Sequence, residues 1–199
     1  MNAPISKSLS QATKYIQSGR VVAFPTGTSY GLAVDALQGN ALQRLYNLKN
    51  RPHKKTFTVF IHPEHIDEYF EITAREKQAL KEYDNQPLTI LLQSKPALSH
   101  LAQDGYVGLR VIDNPIMQDL ALRLNVPLTA TSANKSGDTP CYTPTCVQDN
   151  FSWDKGNGVY DMSLALILDN PPLPKSPPST IIKINNGQLE IIRPGAYKL

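Results

Sequence analysis

"TIIKINNGQLEII", residues 180–192, sets two apolar runs on either side of Asn186-Gly187, the strongest short hairpin signal in the chain. An antiparallel pair therefore completes whatever sheet the earlier segments build. Just before it, "NPPLPKSPPS" (170–179) carries five prolines and reads as a stiff extended connection. Too little chain follows that connection for a second domain.

Reading back toward the N-terminus, "SLALILD" (163–169) is a strand, and "PLTATSANKSG" (127–137) is a strand that breaks into a loop of small residues. "NPIMQDLALRLN" (114–125) is an amphipathic helix carrying Met117, Leu120, Ala121 and Leu124. "VGLRVI" (107–112) and "LTILL" (88–92) are strands separated by a polar segment with helical potential. Thr73 and Glu76 stand in capping-box spacing at the head of a helix in "TAREKQALKEY" (73–83). "TFTVFI" (56–61) is a strand, preceded by a helix in "ALQRLYNLK" (41–49) whose continuation Pro52 forbids. "VVAF" (21–24) is a short buried strand that runs into the hydroxyl-rich loop "PTGTSYG" (25–31). In "SLSQATKYIQSGR" (8–20), Leu9, Ala12 and Ile16 form one helical stripe, with Ser8 as N-cap and Gly19 as stop. Strands alternating with helices and ending in a hairpin predict a single α/β domain, α+β-like, over residues 1–199, with a mixed parallel and antiparallel sheet.

Composition agrees with one soluble unit. Hydrophobic residues make up 41% and charged residues 19%, which excludes a fibrous or largely disordered chain. Lys and Arg number 20 against 17 acids, so the net charge of +3 says little and the clustering of charge says more. No apolar core interrupts "MNAPISKSLSQ" (1–11), and no window approaches the ~20 apolar residues of a membrane span, so a cytoplasmic protein without membrane contact is expected. Cys141 and Cys146, with no other Cys or His cluster nearby, make neither a disulfide framework nor a zinc site; two structural or incidental thiols are expected.

Charge is densest in "LKNRPHKK" (48–55), where Lys49, Arg51, Lys54 and Lys55 surround Pro52 at a helix C-terminus. One or two cations complement the helix dipole, but four in seven residues repel one another unless an anion offsets them. The rigid fork of Arg and the mobile point charge of Lys suit a polyphosphate. Neither G-x4-G-K-[ST] nor G-x-G-x-x-G occurs, so a nucleotide would be held by side chains and not by a glycine cradle. Ser132, Asn134 and Ser136 cluster at a strand end, where short hydroxyls and an amide can bind phosphate, ribose or carboxylate, or close a turn. The same two readings hold for Thr26, Thr28 and Tyr30, and for Ser179 and Thr180; Arg193 is a strand-end arginine or a distal phosphate ligand. His53, His62, His65 and His100 lack zincin spacing, and no G-x-S-x-G elbow is present. Asp35 and Asp113 lie at strand ends and read as turn formers. With no evident nucleophile or base, catalysis rests on positioning and charge stabilisation, which suits transfer at phosphorus.

Taken in order, "VVAFPTGTSYGL", "LKNRPHKK", "GLRV", "PLTATSANKSG", "PSTII" and "IIRPG" resemble the YrdC family, over about residues 8 to 197. The resemblance implies a twisted mixed sheet packed with helices around a basic concave cavity. It implies a threonylcarbamoyl-adenylate synthase, a nucleotidyltransferase that uses ATP, bicarbonate and L-threonine, with Mg²⁺ bridging phosphates. Its product passes to a downstream transferase that modifies an adenosine of tRNA. On the motifs, Lys49, Arg51 and Lys55 match the family's cationic triad on the ATP phosphates, Lys49 and Arg51 being the catalytic charges. Ser132, Arg193 and Thr89 in "QPLT" match further ATP contacts, with Asn134 supporting the Ser132 loop. Thr26, Thr28 and Ser179 fall toward the threonine or carbamate end, and no residue matches a metal ligand.

Three motifs depart from the family pattern: "PT[ED]T" stands here as "PTGT", "WPGPxT" as "DNQPLT", and "RxPxHP" as "RVIDNP". Gly27 thus removes a carboxylate, and the acceptor side is altered while the phosphate side is intact. After "RPGAYKL", the added C-terminal domain of longer relatives is not expected. Beside a pseudoenzyme that binds nucleotide and regulates a partner, two alternatives follow. One is a divergent YrdC/YciO-like nucleotide-binding protein with another acceptor. The other is a module that binds tRNA or double-stranded RNA, which the single dense basic patch and modest net charge disfavour.

Overall fold

The computed structural model describes residues 2–151 and 164–199. The N-terminal half runs β1 (Ile5–Ser6), α1 (Leu9–Gln17), β2 (Val22–Pro25), β3 (Tyr30–Ala33), α2 (Gly39–Lys49), β4 (Val59–Phe60), α3 (Ile66–Tyr69), β5 (Phe70–Glu71) and α4 (Ala74–Glu82). The remainder runs β6 (Leu88–Ser94), β7 (Tyr106–Arg110), α5 (Pro115–Leu124), β8 (Leu128–Thr129), β9 (Thr131–Ser132), α6 (Pro144–Asn150), β10 (Leu166–Leu168), β11 (Thr180–Asn185) and β12 (Gln188–Arg193). The polar segment between β6 and β7 is a 3₁₀ turn, Pro96–Leu101.

The mixed α/β class holds, and its strands divide between two sheets where the strand pattern alone suggests one. One sheet has the order β1-β10-β2-β3-β9 and the other β12-β11-β6-β7-β4-β8, with β5 paired to β6. Parallel and antiparallel pairs occur in both: β10 lies parallel to β2, which lies antiparallel to β3, and β11 lies parallel to β6, which lies antiparallel to β7. Strand periodicity explains the layers, because successive side chains point to opposite faces. Val22, Phe24, Leu166 and Leu168 pack with Ala12 and Ile16 of α1 and Met117, Leu120 and Ala121 of α5. The residues between them, Ala23 and Ile167, join Leu88, Ile90, Leu92, Val107 and Leu109 of the other sheet in the larger core.

Local chemistry sets the ends as expected. Ser8 accepts from Gln11 N at the head of α1, and Thr73 and Glu76 form the full capping box of α4. Asn186 and Gly187 both take positive φ, 50° and 79°, as a two-residue hairpin turn of the primed type requires. In "SLALILD" the strand is Leu166–Leu168, and Ser163 lies outside the described residues. The "PTGTSYG" loop is shorter than expected, since Tyr30 and Gly31 already belong to β3.

Cys141 and Cys146 require a correction: they are joined in a disulfide, not two separate thiols. Thr143 caps α6 by accepting from Cys146 N, and this turn folds Cys146 back until the two Cα atoms are 5.5 Å apart. Spacing alone does not reveal such a turn.

Candidate active site

The outer face of the seven-stranded sheet is where the site forms. Along β7, Val107 and Leu109 enter the core, so Tyr106, Gly108 and Arg110 fall on the opposite face, where they line a cavity of about 780 Å³. That volume suits a small-molecule ligand, for which ~300–1,000 Å³ is typical. The proline-rich segment supplies another wall through Pro177, Pro178 and Ser179, with Arg193 of β12 beside it.

Arg51 reaches the cavity from just beyond α2. Asn50 closes that helix in the left-handed region at φ 48°, and Arg51 N then bonds back to Tyr46 O. The guanidinium is fixed by Nε donating to Lys55 O at 2.9 Å and Nη2 to Thr56 O at 2.7 Å, and it lies 5.0 Å over the Phe57 ring. Burial lowers its pKa from the ordinary arginine value, while neighbouring Tyr46 acts in the opposite direction. Arg193 donates from Nη2 to Ser179 O at 2.6 Å, and burial lowers its pKa too.

The other cations of the octet go elsewhere. Lys49 is 1% exposed, and its ammonium donates to the carbonyls of Ser132 at 2.5 Å and Asn134 at 2.8 Å. It therefore pins the "TSAN" loop and is not part of the cavity wall. Burial chiefly, and then the charge of Arg51, lower its pKa to about 7. Lys54 and Lys55 are exposed, and the Lys55 side chain is not in the wall either. The three cations matched as one triad thus occupy three settings: loop, cavity and solvent.

Of the remaining expected site residues, Thr26, Thr28, Ser132 and Ser179 line the same cavity as Arg51 and Arg193. Thr89 and Asn134 do not. Thr89 is 1% exposed and shares a hydrogen bond of 2.9 Å with Ser179 Oγ, behind the wall. Asn134 donates from Nδ2 to the carbonyls of Lys135 and Asp138 at 2.7 and 2.8 Å, closing the loop that Lys49 pins.

Arg110 stands in "GLRV" and "RVIDNP", motifs that give it no role, and it is a further functional candidate. It is 5% exposed and paired with Asp113, and its Nη1 is buried without a hydrogen-bond partner among the described residues. Desolvation lowers its pKa and the Asp113 charge opposes that. The alternation Tyr106-Gly108-Arg110 is the signal that could have found it, since it sets an arginine on the face opposite Val107 and Leu109. Asp113, expected as a turn former, is instead a buried ion-pair partner, and its neighbour Asn114 caps α5. Asp35 does form a turn, accepting from Leu37 N at 2.9 Å.

The chain's sequence and fold have counterparts among known proteins. The sequence profile of the Sua5/YciO/YrdC family, described as "Telomere recombination", matches residues 14–195. The chain belongs to the Sua5/YciO/YrdC family. Within the family it is 32% identical over 194 residues to a Methanocaldococcus jannaschii protein provisionally named a threonylcarbamoyl-AMP synthase, covering 97% of this chain and 88% of the other. A Vibrio vulnificus protein named threonylcarbamoyl-AMP synthase is 34% identical over 151 residues, covering 72% of this chain and 81% of the other. The crystal structure of P. abyssi Sua5 complexed with L-threonine superposes with a TM-score of 0.79 at 27% identity, over 93% of this chain and 53% of that one. The chain thus spans about half the length of that family member. E. coli YciO, at 22% identity and a TM-score of 0.79 over 94% of this chain and 89% of its own, shares the fold.

Among the described residues, no group of three or more His, Cys, Asp or Glu side chains could hold a metal ion. The described residues offer Mg²⁺ no cage of their own. Among them, too, no helix is long and apolar enough to cross a membrane.

Proposed function

We propose that the chain is a threonylcarbamoyl-adenylate synthase, a nucleotidyltransferase that consumes ATP, bicarbonate and L-threonine. The observation that carries this reading is the convergence of Arg51, Arg110 and Arg193 with Thr26, Thr28, Ser132 and Ser179 on one cavity. Relatives named as synthases, and a related structure that holds L-threonine, support it.

The chemistry follows from what these groups can do. The threonine amine adds to bicarbonate with loss of water, giving a carbamate. A carbamate oxygen then attacks the α-phosphorus of ATP, the bond to the bridging oxygen breaks, and pyrophosphate leaves. The reacting carbamate and triphosphate are both anionic, so fixed positive charge is the main catalytic resource. Arg51 and Arg193, already oriented by backbone carbonyls, meet the phosphates without reorganising. Lys49 acts at one remove by holding the Ser132 loop. The hydroxyls of Thr26, Thr28 and Ser179 take the acceptor end. The described residues form no group of three or more His, Cys, Asp or Glu that could hold Mg²⁺, and none of these residue roles depends on one.

On this reading the whole chain works as one YrdC-type unit in the cytoplasm and hands its product to a transferase that modifies tRNA. The test is pyrophosphate release from ATP and bicarbonate with each amino acid in turn. Release that depends on threonine and is lost in Arg51→Ala supports the synthase; release indifferent to the amino acid overturns the acceptor assignment.

A further inference from the structure

The hydroxyl loop and the buried guanidinium meet at a single carboxylate. Asp113 lies in the turn between β7 and α5, its side chain 2% exposed. Its Oδ2 accepts from Arg110 Nη2, and its Oδ1 accepts from Gly27 N at 3.0 Å. A Cβ placed on residue 27 would stand 2.3 Å from Asp113 Oδ2 and 2.7 Å from Cγ, closer than non-bonded atoms approach. Gly27 is not among the glycines with positive φ, so its backbone does not demand a glycine. The space taken by Asp113 does.

What Asp113 ties together bears on the ligand. Thr26 Oγ1 accepts from Thr28 N at 3.1 Å and Ser29 N at 3.3 Å and donates to Ser29 O at 2.8 Å, so residues 26–29 form one self-bonded turn. Thr26, Thr28, Ser29 and Arg110 all line the cavity, and Gly27 N to Asp113 joins the turn to the arginine. Moving Asp113 would move both together, and a shift of about 1 Å in positioning groups can cost ~10²-fold in rate.

Resting on the synthase reading, we propose that Asp113 is a positioning residue for the acceptor end, supplying from the β7–α5 turn a carboxylate that would otherwise come from residue 27. The two positions then compete for one space: an acid at 27 and Asp113 exclude each other, and either alone can lock Arg110 to the hydroxyl turn. The altered "PTGT" motif is accordingly a relocation of charge within the site and not a loss of it.

The test is a charge swap: Gly27→Asp, Asp113→Ala, the double variant, and Asp113→Asn, which retains an acceptor for Gly27 N but no charge. In bicarbonate-dependent pyrophosphate release, each of Gly27→Asp and Asp113→Ala is expected to raise KM for L-threonine about tenfold, with KM for ATP within about twofold. The double variant should return to within about threefold of the parent, and Asp113→Asn should fall between. Urea unfolding of the ligand-free proteins should show the same reciprocity, with midpoints lowered in both single variants and restored in the double. Additive losses in the double, or a KM for ATP that rises in step with that for threonine, overturn the proposal. Should the parent release no pyrophosphate with threonine, the synthase reading fails, and the unfolding cycle alone then decides: recovery keeps the lock, additivity removes it. If Asp113→Ala alone does not fold, the double variant is compared directly with the parent: a folded double with KM for threonine within about threefold keeps the proposal, and a double that also fails to fold overturns it.

Discussion

Lys49 at the end of α2 and Arg110 at the end of β7 are both buried cations, 1% and 5% exposed, and they are compensated in different ways. Lys49 donates to two neutral carbonyls, whereas Arg110 faces the carboxylate of Asp113. Carbonyl dipoles orient a charge without cancelling it, so burial still drives the Lys49 pKa down to about 7. A carboxylate offsets the charge directly, and Arg110 stays ionised at any ordinary pH. One cation is therefore a pin whose charge depends on pH, and the other stays charged beside a carboxylate whose own pKa burial raises against the lowering effect of the Arg110 charge.

The sharpest way to break this comparison is to remove the carboxylate. Asp113→Ala leaves Arg110 buried and unpaired and should cost about 3–5 kcal/mol of stability, read by urea unfolding. A loss near zero would mean that water reaches Arg110 and that its pairing is incidental.

Arg51, two residues from Lys49, is the cation that faces the cavity. Arg51→Ala should lower threonine-dependent pyrophosphate release by about 10²–10³-fold with little change in the unfolding midpoint, because it removes one pre-oriented donor. An equal loss of stability would place Arg51 with Lys49 as a structural cation.

Lys49 itself predicts a pH dependence. Its folded pKa, about 7, lies below the ordinary 10.5, so between these values the unfolded chain binds the additional proton. Stability should therefore rise with pH across that window, by at most about 1.4 kcal/mol per pH unit, and the penalty should be complete below pH 7. Lys49→Met should flatten that rise in unfolding measured from pH 7 to 10. An unchanged slope would show that the two carbonyls hold the ammonium charged throughout.

Outside the cavity wall, the α4 capping box provides the smallest effect. Thr73→Ala should cost about 1 kcal/mol in unfolding and leave pyrophosphate release unchanged. A change in activity would show that α4 communicates with the site, which none of the contacts described above suggests.

Elements that rest on local rules are legible along the chain itself. The caps Ser8 and Thr73, the Asn186-Gly187 turn, and the end of α2 before Pro52 follow from neighbours within a few residues. The candidate site is legible where a motif names it: Arg51, Arg193, Ser132, Ser179 and the hydroxyls of Thr26 and Thr28 share one cavity. Arg110 escapes such a reading because its motif looks like plain strand, although the strand's own alternation puts it on the face opposite the core.

The sequence by itself determined the longer elements and their order, the dense charge after α2 and the hydroxyl turn after β2, since these depend on propensity, periodicity and spacing along the chain; the short β1, α3, β5 and α6 carry too little pattern to be read that way. Only the tertiary structure decided that the strands form two sheets, that Cys141 meets Cys146, and which of Lys49, Arg51 and Lys55 looks inward. It alone set Asp113 against Gly27, 86 residues away, and so explained the glycine by occupied space. The physical reason is range: backbone preferences act over a few residues, whereas desolvation, ion pairing and excluded volume are settled by whatever the completed fold brings within a few ångströms.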